Sequence, residues 1–242
     1  MDNAIYTTLT RQSGLMSEMD VIANNIANIS TTGFRREGVI FSEYVQGLDG
    51  NEPSLSMASG DTRVVDLAPG TLQQTGGTYD LGIEGKGFFL VETDNGQRLT
   101  RAGAFMPNAN GELVNADGNR LLDGGGTPIA IPPGVRSLAV GPDGTISADG
   151  LPVAQIGLYE PTDPIDLNFQ SGTLLRADNG VQPVAESAGH IRQGYLEDSN
   201  VNPITEIARM ITVQRAYELG QTFLDNEDQR IRSAIQTLGK EA

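Results

Sequence analysis

Few residues of this 242-residue chain could do chemistry in the pattern in which they occur. The one histidine, His190, has no cysteine to share a metal with. Neither a G-x-S-x-G nor an H-E-x-x-H spacing exists, so nucleophilic hydrolysis and zinc catalysis lack their motifs. The glycine cluster in "GIEGKGFF" resembles a phosphate cradle only at first sight. A cradle needs Gly-Lys-Ser/Thr opening a helix, whereas Lys86 leads into the strand-like "GFFLVE", which predicts a tight turn. "GPDGTISADG" is rich in oxygen ligands, yet its spacing fails for calcium and no acid closes it at the twelfth position, so hairpin turns explain it better. A carboxylate pair at glycosidase distance stays open among 31 acidic residues. No residue is assigned to catalysis, a cofactor or a metal.

A second kind of chemistry, hydrogen bonding between surfaces, is suggested by "DVIANNIANISTTGF". Asparagine is a poor helix former, yet Asn24, Asn25 and Asn28 sit inside a helical pattern. At 100° per residue they fall together, across the helix from an isoleucine stripe, with Ala23 and Ala27 between. Carboxamides donate and accept at once, so such a face suits repeated contacts between subunits. A solvated polar face near a helix end is the other reading, because "ISTTG" looks like a stop with Gly33 available for a left-handed conformation.

The elements that would position this face are helical ends around a β centre. Leu15, Met19, Ile22, Ile26 and Ile29 repeat at 4-3-4-3 spacing. Near the C-terminus Met210, Val213, Tyr217, Gly220, Leu224, Glu227, Ile231, Ala234 and Leu238 repeat at 3-4-3-4, the seam of a coiled coil, with Gly220 and Glu227 imperfect seam residues. Pairing the two ends leaves Ile5, Ile204, Ile207, Ile211 and Leu219 partly off the seams. "NVNPITEIARM" puts Pro203 at the first position of the second helix behind an asparagine cap. Between residues 49 and 180, Asx-Gly pairs at Asp49, Asn95, Asn110, Asp117, Asp123, Asp143, Asp149 and Asn179 separate short strand-like runs, which predicts antiparallel hairpins.

The formal net charge of −15 argues against binding nucleic acid through its phosphates and disfavours anionic membranes. The absence of cysteine makes the chain indifferent to redox compartment. The N-terminus lacks the basic and apolar regions of a secretory signal, and no apolar run approaches ~20 residues, so neither a cleavable signal nor a spanning helix is expected.

Three long segments carry a resemblance. "SEMDVIANNIANISTTGFRREGVIFSEY" resembles the N-terminal signature of the bacterial flagellar rod and hook proteins, the axial subunits of the basal body. "LTRAGAFMPNANGELVNADGNRLL" is similar to the family's central hairpin segment, and "GYLEDSNVNPITEIARMITVQRAYE" to its C-terminal signature. The opening "MDNAIYTTLTRQSGLM" and the modest length are most similar to the proximal rod members. The resemblance implies a mixed α and β fold: N- and C-terminal helices in an antiparallel coiled coil (residues 1–30 and 203–242), an extended connector (31–74) entered through a turn at Thr32, Gly33 and Phe34, a central antiparallel β domain (75–185) and a returning connector (186–202). It further implies a structural subunit of the proximal rod, a non-enzymatic drive shaft in the periplasm. Partners would be other copies, other proximal and distal rod subunits and the flagellar type III export apparatus, with export lacking a cleavable signal. The isoleucine stripe would then serve the coiled coil and the Asn/Ala face would meet neighbours. The competing reading is an extracellular β-rich binding or glycan-cleaving protein braced by its terminal helices.

Overall fold

The computed structural model describes residues 2–46, 55–185 and 187–238. The chain is mixed α and β: a first helix α1 (Asp2–Ala27), a long series of antiparallel strands, and a last helix α2 (Pro203–Leu238). It divides into two compact units, one of residues 1–26, 37–63 and 202–242, the other of residues 27–36 and 64–201.

In the first unit α1 and α2 accompany most of a two-stranded ribbon, Glu37–Gln46 with Leu55–Val65. Leu15, Ile22 and Val213 form a buried cluster, with Met19, Ile26, Met210, Ala216 and Tyr217 packed against it. The side chain of Asn202 caps α2, its Oδ1 accepting from Ile204 N at 3.0 Å and Thr205 N at 3.2 Å. Proline is tolerated one residue on because that position has no intrahelical bond to donate.

The second unit is built on a sheet whose central strand, Phe88–Thr93, pairs with Gly96–Thr100 on one side and with Arg120–Leu121 and Leu158–Pro161 on the other. Its apolar run is continuous because both faces are covered. Phe89 and Val91 belong to a core with Leu81, Leu121, Ile146 and Ile156, while Phe88 and Leu90 belong to a second core with Leu99, Leu122, Leu167 and Leu175. Glycine at positive φ ends the hairpins at Gly96, Gly111, Gly118, Gly144, Gly150 and Gly180. The Asp123 pair differs. There Gly126 takes the positive φ, because Asp123 Oδ1 accepts from both Gly125 N and Thr127 N at 2.8 Å and carries the turn two residues further. The Asp49-Gly50 pair lies outside the described residues.

The expected connectors are not free runs of chain. Residues 27–36 and 64–74 belong to the β unit, residues 37–46 and 55–65 form the ribbon, and the segment returning to α2 contributes two strands. Gly189–Gln193 pairs with Leu81–Gly85, and Tyr195–Glu197 with Leu72–Gln74. Pairing satisfies backbone groups that an extended connector would leave to water. His190 stands exposed on the first of these strands.

Candidate assembly site

In the helical unit, side-chain contacts run in opposite order along the two helices. Gln12 Nε2 donates to Tyr217 O at 2.9 Å, Arg209 Nε meets Glu18 Oε1 at 2.7 Å, and Asn25 Nδ2 reaches Glu206 Oε2 at 3.3 Å. The pair is therefore antiparallel. Gly220 lies where a Cβ would run into the Gln12 amide, so its missing side chain makes room for that bond. Of the seam residues, Leu15, Ile22 and Val213 are buried, and Met19, Ile26, Met210 and Tyr217 pack against them. Leu224 is half-buried, whereas Ile231 and Leu238 are exposed, because the antiparallel register exhausts α1 before α2 reaches them. Ile29, half-buried, falls beyond α1 in the stretch assigned to the β unit.

The three asparagines do not share a face. Asn24 is exposed, but Asn25 is 0 % exposed: its Nδ2 donates to Glu37 O and its Oδ1 accepts from Glu37 N, both at 2.8 Å. Its amide therefore pairs with the first ribbon residue as a neighbouring strand would, using both hydrogen-bonding directions of the carboxamide. Asn28 sits in the turn after the helix, where its Oδ1 accepts the Thr31 hydroxyl at 3.0 Å. Ideal 100° spacing put Asn25 outside. The ribbon strand packing against that side of the helix buries it, and spacing along one helix cannot reveal such a neighbour.

In the β unit the turn at Thr32, Gly33 and Phe34 is held by a buried charge cluster. Gly33, at φ +70°, donates its N–H to Glu197 O at 2.7 Å, and a Cβ there would run into the Ala102 backbone nitrogen. Gly33→Ala is expected to cost at least about 2 kcal/mol, from the left-handed backbone and the collision together. A thermal melt of the full chain falling by several degrees would show it. Phe34 stacks on Phe169 at 5.4 Å between ring centres.

Next to that turn, the Glu197 carboxylate meets Arg35 at 2.9 Å and Arg101 at 2.8 Å, all three side chains at most 3 % exposed. Gly70 N donates to the same carboxylate at 2.8 Å, Arg101 also donates to the carbonyls of Ile83 and Gly85, and Arg35 donates to the Ala68 carbonyl. Both guanidiniums lie near the Phe88 ring, at 5.9 and 5.2 Å. Burial pushes Arg35 down to about 10 against the attraction of Glu197, and lowers Arg101 in the same way. Arg35 comes from "TTGFRRE", Arg101 from "LTRAGAF" and Glu197 from "GYLEDS", so three distant segments close on one carboxylate. Sequence reading missed this cluster. Its only trace was charge set among small and apolar residues, which does not name a partner.

Asp143, in the calcium-like loop, spends its carboxylate on Thr145: Oδ1 accepts the amide at 3.1 Å and Oδ2 the hydroxyl at 2.7 Å, which holds its pKa below the usual range. Lys86 is exposed at a turn flanked by Gly85 and Gly87, both at positive φ.

Three family models match: "Flagella basal body rod protein" over residues 5–35, "Flagellar hook protein FlgE/F/G D1 domain" over 82–148 and "Flagellar basal body rod FlgEFG protein C-terminal" over 192–237. The chain is 40% identical over 245 residues to the flagellar basal-body rod protein FlgF of Caulobacter vibrioides, with 99% of each chain covered. It belongs to the flagellar basal-body rod protein family. It is similar also to FlgF of Mesorhizobium japonicum, 35% identical with 100% of each chain covered. To FlgG of Bacillus subtilis it is 30% identical, with 97% of this chain and 98% of the relative covered. Within the family it is most like FlgF. It is a structural subunit of the flagellar rod and not an enzyme, and it associates with other rod subunits in the basal body. The reading as an extracellular binding or glycan-cleaving protein has no support in these matches.

Proposed function

We propose that this subunit builds the proximal rod by polymerising through its paired terminal helices, which act as an antiparallel coiled coil. The observation that carries this reading is apolar surface on those helices. Ile204 is 80 % exposed and Leu219 72 %, with Ile207, Ile211, Phe223, Tyr6, Leu9 and Met16 also exposed. Large apolar residues left in water along two helices mark a surface to be covered by neighbours. Spread over many close-packed contacts, such an interface resists twisting and transmits torque. The subunit reaches the periplasm through the flagellar type III export apparatus, a route supported by its family. A net charge of −15 argues against nucleic acid as a partner. Among the described residues no helix is long and apolar enough to cross a membrane.

The test is a strain lacking the gene, complemented with the double substitution Ile207→Glu, Ile211→Glu. Both positions are exposed, so the monomer should keep its helix content by circular dichroism while swimming is not restored. Full motility with that variant, or in the deletion strain itself, would overturn the proposal.

A further inference from the structure

The helical unit contains a groove bounded by α1 and α2 with one polar atom out of keeping with its burial. Gln12 is 6 % exposed and uses its Nε2 on Tyr217, but its Oε1 has no hydrogen-bond partner. A buried acceptor left unmade costs free energy that an arriving donor recovers. Gly220 gives the groove depth, exposed Leu219 and Phe223 line one side, and Arg11 lines the other. Among the described residues Arg11 has no ion pair.

We propose that this groove receives the outer row of α1 from a second copy of the chain: Leu9, Ser13, Met16 and Asp20. This rests on the polymerising role proposed above and names the contact. The four residues repeat at 4-3-4 spacing, lie on one stripe of the helix and are all exposed. Leu9 and Met16 supply the apolar knobs, and the unbranched Met16 adapts to an irregular floor over Gly220. Ser13, between them, supplies the hydroxyl donor that Gln12 Oε1 lacks. Asp20 supplies the charge opposite to Arg11. A second exposed apolar row, Ile204, Ile207 and Ile211 on α2, fits worse. It has Ala208 where a donor is needed and runs on to Arg215, which would face Arg11 with like charge. Row and groove are different surfaces of one subunit, so the contact is heterologous and builds rings or open filaments instead of closing a twofold dimer.

Sedimentation of the full-length chain over a concentration series tests this. Arg11→Glu and Asp20→Arg should each weaken self-association about fivefold, and Met16→Glu more than about tenfold. Arg11→Glu combined with Asp20→Arg should restore association. An equimolar mixture of the two single variants should associate further than either alone by alternating, because two of its four possible contacts keep opposite charges. A wild-type chain that stays monomeric, single variants that associate normally, or a double variant that is not rescued would each overturn the groove. If a deletion strain is non-motile while the variants associate as wild type, only the groove falls. If the deletion strain swims, the underlying reading falls with it.

Discussion

Glu197→Gln is expected to unfold much of the β unit at temperatures where the native chain is intact. The substitution keeps the shape of the side chain and removes its charge, which leaves Arg35 and Arg101 as two buried cations without an anion between them. Breaking a buried ion pair from one side costs about 3–5 kcal/mol. Here one carboxylate serves two guanidiniums, and Gly70 N loses a charged acceptor as well. Calorimetry should show the midpoint falling by roughly 10 °C. The control is Glu84→Gln, which removes the partner of Arg192 in an ion pair about half-exposed on both sides. Such pairs contribute under about 1 kcal/mol. If the two substitutions shift the midpoint equally, the cluster is not what holds the turn at Gly33.

Asn25→Leu is expected to damage the subunit before any assembly takes place. Leucine is the better helix former, so local propensity alone would predict a gain. Against that, both backbone groups of Glu37 lose their partner inside the protein, and Glu206 loses a donor. With about 1–3 kcal/mol for each buried group left unpaired, a net loss of roughly 2–4 kcal/mol follows. Hydrogen exchange on isolated monomer should show the Glu37 amide losing its protection. Asn24→Leu, one residue away and exposed, should change monomer stability by no more than about 0.5 kcal/mol. Equal behaviour of the two variants would mean that the amide bridge contributes little.

These two sites mark where sequence legibility ended. Turns were legible because the cause lies within the turn itself. Gly96, Gly144 and Gly150 take positive φ beside an Asx residue, and Asn202 caps the helix that Pro203 begins. Gly126 departed from the pattern because one carboxylate bonded two amides further along. The helices were legible from their periodicity, but where their contact ends was not. Ile231 and Leu238 keep the spacing of the seam and are exposed, since a repeat does not state the length of its partner. Asn25, Arg35, Arg101 and Glu197 were read wrongly or passed over because their roles depend on residues 12 to 181 positions away. Composition and spacing carry no record of such encounters.

The helical unit is assembled from residues 1–26, 37–63 and 202–242, so its two helices are separated in sequence by the whole of the β unit. Thr8 to Leu15 provide one side of its groove and Ala216 to Phe223 the other. A chain broken anywhere in the intervening sequence can still carry one helix, but it has no groove. On the proposed contact, an N-terminal fragment could still offer its α1 row but could receive none. Such a fragment would cap a growing end instead of extending it.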